Sequence, residues 1–155
     1  MTSSAKSVSV ERVITAPPDK IFDLLADPTR HTDIDGSGTV RDATTGSERL
    51  ALGSTFGMAM KQGFSYSMVS TVVEFEENRR IAWQSKPPSS FGAKLGGGRI
   101  WRYELEPVDG GTRVTETWDI SQEIGLGKYF VGLGGKKTAG NMEKTLARIE
   151  QLVTA

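Results

Sequence analysis

Glu116 has the strongest potential for acid–base chemistry in this sequence. It shares the alternating face of a strand-like segment with Val114 and Trp118. If that face points inward, the carboxylate enters an apolar environment, where desolvation raises its pKa and suits it to act as a general acid or base. Because buried carboxylates are rarely left unpaired, we expect an ion pair with Arg12 or Arg102, or a position at the rim of the sheet.

His31 is the only histidine, and its unperturbed pKa lies near neutrality. Asp33 and Asp35 follow it closely, and a paired His and Asp are a component of some catalytic sites. No Ser or Cys nucleophile accompanies them in a recognised motif, so we expect a solvated histidine in a polar loop. Tyr103 is the third candidate catalytic residue, because its hydroxyl belongs to a face predicted to point inward. These residues leave open whether the protein is an enzyme.

A larger set of apolar or soft side chains is predicted to face the interior and to contact a ligand. Methionine adapts its shape, and tyrosine and tryptophan combine a large apolar body with one polar group. An apolar stripe by itself specifies only burial, so core packing is the more common role for any one of these residues. The candidate ligand-binding residues are Phe56, Met58, Met60, Tyr66, Met68, Trp83, Trp101, Tyr103, Trp118 and Met142.

The elements that must position these residues follow from the hydrophobic periodicity. Residues 7–15 alternate as a strand, two prolines then open an amphipathic helix, and Asp27 is placed to cap a second short helix. From residue 39 to 121 strand-like runs follow one another without helical periodicity. Turns such as Gln62-Gly63 and Asp109-Gly110-Gly111 separate them. This pattern predicts an antiparallel meander.

A long amphipathic helix follows the meander. Apolar residues recur in it at spacings of three and four, and they are Ala139, Met142, Leu146, Ile149 and Val153. The order of elements predicts an α+β fold in which a curved, seven-stranded antiparallel sheet needs an apolar cover, and this helix supplies it. We expect one domain over residues 1–155, with residues 1–6 as a flexible tail.

Composition excludes several classes of function. The chain has 155 residues with 19 Lys plus Arg against 19 Asp plus Glu, so nothing in its charge favours nucleic acid or an anionic membrane. The absence of cysteine excludes disulfides, thiol catalysis and sulfur-ligated zinc. No apolar run approaches the roughly 18 residues of a membrane span, and the first ten residues lack the apolar core of a secretory signal. We therefore expect a cytoplasmic protein without membrane insertion.

Two motif comparisons argue against a metal or a nucleotide. Residues 33–44 begin like a calcium loop, but Thr44 stands where a bidentate glutamate is required. Near Gly135-Lys136 a phosphate-binding loop would need glycine at 130 and Ser or Thr at 137, where the chain has Phe130 and Lys137. We expect no cofactor and no metal. Lys128, Lys136 and Lys137 are expected to be solvated or to meet an anionic head group.

The chain resembles the Bet v 1-like (START-like) helix-grip superfamily, and within it the polyketide cyclase/dehydrase and lipid-transport group. Three segments carry the resemblance: SVSVERVITAPPDKIFDLLADPTRH, the hairpin RIWRYELEPVDGGTRVTETWDIS and the helix NMEKTLARIEQLV. The resemblance implies a seven-stranded sheet wrapped around the C-terminal helix, with two short helices after the first strand. It also implies a cavity between sheet and helix that in relatives holds sterols, lipids, polyketides or other apolar molecules.

Three functions are compatible with this resemblance. The first is binding or transport of a small hydrophobic or amphipathic ligand, lipid-like or polyketide-like, with the glycine-rich segments 92–98 and 125–135 opening the mouth. The second is a polyketide aromatase/cyclase-type enzyme that uses the same cavity. The third is a partner-binding regulator resembling Hsp90-activator homologues, which would need an exposed apolar patch. A monomer and a homodimer paired through an edge strand are both compatible with the sequence.

Overall fold

The computed structural model describes residues 2–3, 6–45, 48–88, 97–123 and 134–155. The elements in chain order are β1 (Thr2–Ser3), β2 (Ser7–Ile14), α1 (Pro18–Leu25), a 3-10 helix (Pro28–Arg30), α2 (His31–Ile34), β3 (Val40–Thr45), β4 (Thr55–Gln62), β5 (Phe64–Glu76), β6 (Arg80–Lys86), β7 (Arg99–Val108), β8 (Gly111–Asp119) and α3 (Gly135–Thr154). The strands form one antiparallel sheet in the order β1-β2-β8-β7-β6-β5-β4-β3.

The strand count agrees with the predicted sheet apart from one short addition. Strands β2 to β8 are the seven predicted ones, and short helices follow the first of them as expected. In the segment expected to be a flexible tail, Thr2 and Ser3 pair with Ser9 and Val8 and so add a two-residue strand at the edge of β2.

The entry into the short helices is explained by local chemistry. Pro18 occupies the first turn of α1, where a missing N–H leaves no hydrogen bond unmade. The helix buries Ile21, Phe22, Leu24 and Leu25 on one side. After it, the Asp27 carboxylate accepts a hydrogen bond from the Thr29 N–H at 3.0 Å and caps the 3-10 helix, as the sequence predicts.

Tight turns fix the register of the meander. Gly63 adopts φ +77° between β4 and β5, a left-handed conformation that favours glycine and lets Gln62 pair with Phe64. Register shifts between β3 and β4 and between β5 and β6 mark bulges, which bend strands and increase their twist. The bent sheet thus offers a face that one helix can cover.

Helix α3 covers that face. It buries Ala139, Met142, Leu146 and Ile149 in the core, and Val153 packs against the same cluster while remaining half-buried. Beside this contact, Arg12 of β2 pairs with Glu150 at 2.9 Å. The arrangement is the predicted α+β helix-grip fold. Among the described residues no helix is long and apolar enough to cross a membrane.

Candidate functional site

A cavity of about 610 Å³ lies between the sheet, helix α2 and the first half of α3. All ten candidate ligand-binding residues line it, and so do the three candidate catalytic residues. The strands present their inward faces and the segment from Ile34 to Val40 forms a rim. Gly134, just before α3, and residues of α3 from Lys137 to Thr145 complete the lining. The structure therefore brings the predicted set together, while its role in binding remains a prediction.

Strand register arranges the aromatic wall in rows. Trp83, Trp101 and Trp118 lie directly opposite one another on β6, β7 and β8, and the rings of Trp101 and Trp118 are 6.3 Å apart. Residues that are paired across neighbouring strands point to the same face of the sheet. The three indoles therefore lie on the same side, facing the cavity. The neighbouring row carries Tyr103 opposite Glu116. A polar pair therefore lies one row away from the indoles.

Glu116 is buried in this wall, with a fractional exposure of 2%. The Tyr103 hydroxyl donates a hydrogen bond to its Oε1 at 2.7 Å, while its Oε2 has no partner among the described residues. Burial raises the pKa of Glu116 to about 8, the Tyr103 hydrogen bond opposes the shift, and the charge of Asp35 adds to it. The carboxyl group is therefore mostly protonated at neutral pH.

The expected ion pair of Glu116 is wrong. Arg12 reaches Glu150 on α3. The guanidinium of Arg102 is turned to the other side of the sheet, where it binds Glu74 through two nitrogens and lies 3.5 Å from Asp119. Residues alternate between faces along a strand, so Arg102 cannot share the inward face of Tyr103. A neutral carboxyl held by a tyrosine replaces the predicted salt bridge.

The expectation of a solvated His31 is also wrong. The side chain is buried, stacks on Trp83 at 4.8 Å between centroids and meets the edge of Phe56 at 5.2 Å. Its Nε2 donates to the Leu25 carbonyl at 2.9 Å, because a carbonyl can only accept. Burial lowers the pKa of His31, so the ring is neutral at pH 7 with Nδ1 unprotonated.

The predicted neighbours of His31 do not form a His–Asp pair with it. Asp33 binds Arg30 at 2.6 Å. Asp35 accepts hydrogen bonds from the Ser37 N–H and hydroxyl through Oδ1 and from the Val40 N–H through Oδ2. These bonds build the turn that leads into β3, so Asp35 serves as a cap whose charge faces the cavity wall.

Two kinds of polar lining were not among the predicted site residues. Ser70 and Ser85 line the cavity and share a hydrogen bond of 2.8 Å. Arg99 also lines it, binds Glu123 at 3.2 Å and leaves its Nε without a partner among the described residues. Both were detectable, since Ser70 is in period-two phase with Met68, and Arg99 is in phase with Trp101.

The predicted mouth segments are described only in part. Of residues 92–98 the structure describes Gly97 and Gly98, and of residues 125–135 it describes Gly134 and Gly135. The other residues of both segments, Lys128 among them, lie outside the described residues. Lys137 lines the cavity near the start of α3, whereas Lys136 is exposed elsewhere.

A second depression, of about 300 Å³, is lined mainly by charged side chains of β6, β7 and β8. Arg80 binds Glu104 there at 2.7 Å, and Arg113 binds Glu106 at 2.9 Å. These four charged side chains are therefore paired with one another across neighbouring strands.

The fold and the lined cavity together define a helix-grip protein with a largely apolar chamber. Over residues 5–154 the chain matches the model of the family described as polyketide cyclase / dehydrase and lipid transport, and it belongs to that family.

A curated protein is similar to most of this chain. The chain is 37% identical over 149 residues to the uncharacterized protein Rv0088 of Mycobacterium tuberculosis, in an alignment that covers 92% of this chain and 61% of that protein. It thus spans about three fifths of the length of the curated relatives it matches.

Two solved structures show the same fold. Protein CV1439 of Chromobacterium violaceum has a TM-score of 0.74 at 14% identity, covering 98% of this chain and 99% of that one. Protein Ms6760 of Mycobacterium smegmatis has a TM-score of 0.70 at 18% identity, covering 97% and 92%. At such identities the likeness concerns the fold alone.

Proposed function

We propose that this protein binds or carries a small, largely apolar ligand in the cavity between the sheet and α3. The observation that carries the proposal is the chamber of about 610 Å³ walled by aromatic and methionine side chains. Its volume falls within the roughly 300–1,000 Å³ typical of small-molecule sites. The fold of the family supports a hydrophobic ligand-binding role, and the ligand itself is the part that we propose.

The composition of the wall favours an amphipathic ligand over a hydrocarbon. Apolar contacts with the indoles and with Met58 and Met142 would supply affinity, because burying apolar surface is favourable by roughly 25 cal/mol per Å². Polar groups on the same wall, among them Ser70, Tyr103 and Glu116, would orient a ligand oxygen.

Native mass spectrometry tests the proposal. The purified protein is measured before and after incubation with an apolar extract of its own host, and any added mass is identified after organic extraction. We expect a discrete added mass of roughly a few hundred daltons, which corresponds to one drug-sized molecule. A bare protein mass under both conditions would count against the cavity as a binding site.

A matched pair of variants ties an adduct to the cavity. Met58→Trp adds bulk to a buried wall residue, whereas Val73→Trp adds it to a position on β5 that is 39% exposed. Only Met58→Trp should reduce the retained adduct. Trp118→Ala should alter retention as well, without unfolding the protein. Equal retention in all folded variants would place the ligand elsewhere.

A second candidate function is a polyketide aromatase/cyclase-type reaction in the same cavity. The buried Tyr103–Glu116 pair favours it, because a protonated carboxyl beside a hydroxyl is suited to act as a general acid toward a ketone oxygen. Glu116→Gln keeps the shape of the side chain but cannot transfer a proton. An enzyme should therefore lose product formation in this variant while binding is nearly retained.

The partner-binding alternative receives no specific support. The large apolar side chains that are exposed in the described part of the chain are Val13, Leu52 and Val73. Single exposed apolar residues are ordinary on protein surfaces, and an interaction site needs a contiguous patch.

A further inference from the structure

One carboxyl oxygen of Glu116 has no partner in the part of the chain that the structure describes, and it indicates one chemical class of ligand. We propose that the cavity recognises a neutral carbonyl oxygen, such as that of a ketone, through a hydrogen bond donated by Glu116 Oε2–H while Tyr103 holds Oε1. The inference rests on the ligand-binding function proposed above and adds the group that orients the ligand.

The hydrogen bonds of the Glu116 carboxyl group indicate which of its two oxygens carries the proton. Tyr103 donates its hydroxyl proton to Oε1 at 2.7 Å, so Oε1 acts as the acceptor of the carboxyl group. The acid proton then resides on Oε2, which is buried and has no acceptor among the described residues. A buried donor without an acceptor is unfavourable, and a ligand acceptor would satisfy it.

The charged and titratable groups around Glu116 influence whether its carboxyl group is protonated. The ionisable groups that line the cavity with Glu116 come from four elements and one loop: Tyr103 and Arg99 on β7, Tyr66 on β5, His31 on α2, Lys137 on α3 and Asp35 in the loop before β3. Burial is the main cause that raises the pKa of Glu116; the Tyr103 hydrogen bond opposes this shift, and the negative charge of Asp35 adds to it. The carboxyl group of this cavity-lining residue is therefore mostly protonated at neutral pH.

The neutral donor discriminates among ligand head groups. A ketone offers an acceptor without adding charge to a buried site. A ligand carboxylate would meet the negative charge of Asp35, and an ammonium group would favour the ionised carboxylate instead. The preference for a neutral acceptor should therefore disappear when Glu116 ionises.

The test uses two matched probes, 2-acetylnaphthalene and 2-ethylnaphthalene, which differ in the carbonyl oxygen. Binding is followed by intrinsic fluorescence, since all three tryptophans of the chain line the cavity. The measured quantity is the ratio of the two dissociation constants at pH 6.5 and at pH 9.5, on either side of the Glu116 titration. One hydrogen bond corresponds to a preference of about two- to tenfold.

Three proteins are compared. At pH 6.5 the wild type should prefer 2-acetylnaphthalene over 2-ethylnaphthalene more strongly than Glu116→Met does, by this factor. At pH 9.5 the preference of the wild type should fall to that of Glu116→Met. Glu116→Gln, whose amide N–H replaces the acid proton, should keep the preference at both pH values. Glu116→Met removes the polar group without leaving an unpaired charge, so it should fold.

The outcomes separate the inference from the proposed function. Equal ratios in the wild type and Glu116→Met at pH 6.5 would overturn the carbonyl site while leaving ligand binding intact. Tighter binding of 1-(2-naphthyl)ethylamine as the pH rises would overturn it in favour of a cationic ligand. Failure of both naphthalenes to bind any of the proteins would contradict the proposed function as well.

Discussion

The imidazole of His31 lies nearly parallel to the indole of Trp83, with the two planes at 22°. The contact attaches α2 to the centre of the sheet, and the hydrogen bond from Nε2 to Leu25 attaches the end of α1 as well. Phe56 closes the group from β4. One neutral histidine thus ties both short helices to the aromatic wall of the cavity.

His31→Phe should cost more stability at pH 7.5 than at pH 5.5. The variant keeps an aromatic ring but leaves the Leu25 carbonyl without its donor, a loss of about 1–3 kcal/mol. Burial lowers the pKa of His31, so its contribution is complete above pH 6.5, where both states are neutral, and declines as the pH falls and only the unfolded chain takes up the proton. Urea unfolding at the two pH values measures the difference.

His31 is the only histidine, so the difference between variant and wild type isolates its titration. An equal loss at both pH values would show that the folded ring takes up a proton as readily as the unfolded one, contrary to its burial.

Glu116→Gln should stabilise the protein, and increasingly so as the pH rises from 5 to 8. The folded carboxyl group has a pKa of about 8, whereas the ordinary value is 4.5. Below pH 4.5 both states are protonated and there is no penalty. Between the two values only the unfolded chain releases its proton, so wild-type stability falls by up to about 1.4 kcal/mol per pH unit. Above pH 8 the difference levels off.

Thermal unfolding across this pH range measures the effect. Glu106→Gln is the control, because Glu106 is an exposed carboxylate that pairs with Arg113 on the surface. A pH-independent difference between Glu116→Gln and the wild type would mean that Glu116 is ionised in the folded protein.

Much of the site follows from alternation and turn position in the sequence. The turn between Val108 and Gly111 fixes the register of β7 against β8. Counting back from this turn along both strands pairs Tyr103 with Glu116 and Trp101 with Trp118. The wall was therefore predictable, and so in principle was the partner of Glu116. Burial of His31 was not, because a four-residue helix has no periodicity that shows which side meets the sheet.

Arg102→Met should lower the free energy of unfolding by about 1–2 kcal/mol, and less in high salt. Its guanidinium makes a bidentate contact with Glu74 and is only 20% exposed, so the pair is partly shielded from water. Arg113→Met is the matched control, because its ion pair with Glu106 is exposed and should matter by less than about 0.5 kcal/mol. Equal effects of the two substitutions in urea unfolding would contradict the shielding.

Gly36→Ala should destabilise the protein and loosen the rim of the cavity. The Gly36 N–H donates to Thr145 Oγ1 at 2.9 Å, and a Cβ at this position would lie 2.6 Å from the Lys144 Cβ of α3. The rim must move away from the helix, at a cost of about 1–3 kcal/mol. Because Asp35 and Thr145 both line the cavity, the neutral probe N-phenyl-1-naphthylamine should bind more weakly.

Gly140→Ala is the control for that substitution. Gly140 lies on α3 with nothing within 4 Å of an added Cβ, so alanine should stabilise the helix by about 0.5–1 kcal/mol and leave probe binding unchanged. Urea unfolding and probe titration of the two variants give the comparison. Weaker binding in Gly36→Ala alone would identify the contact between rim and helix as the part of the fold that keeps the cavity closed, whereas unchanged binding in both would separate that contact from ligand retention.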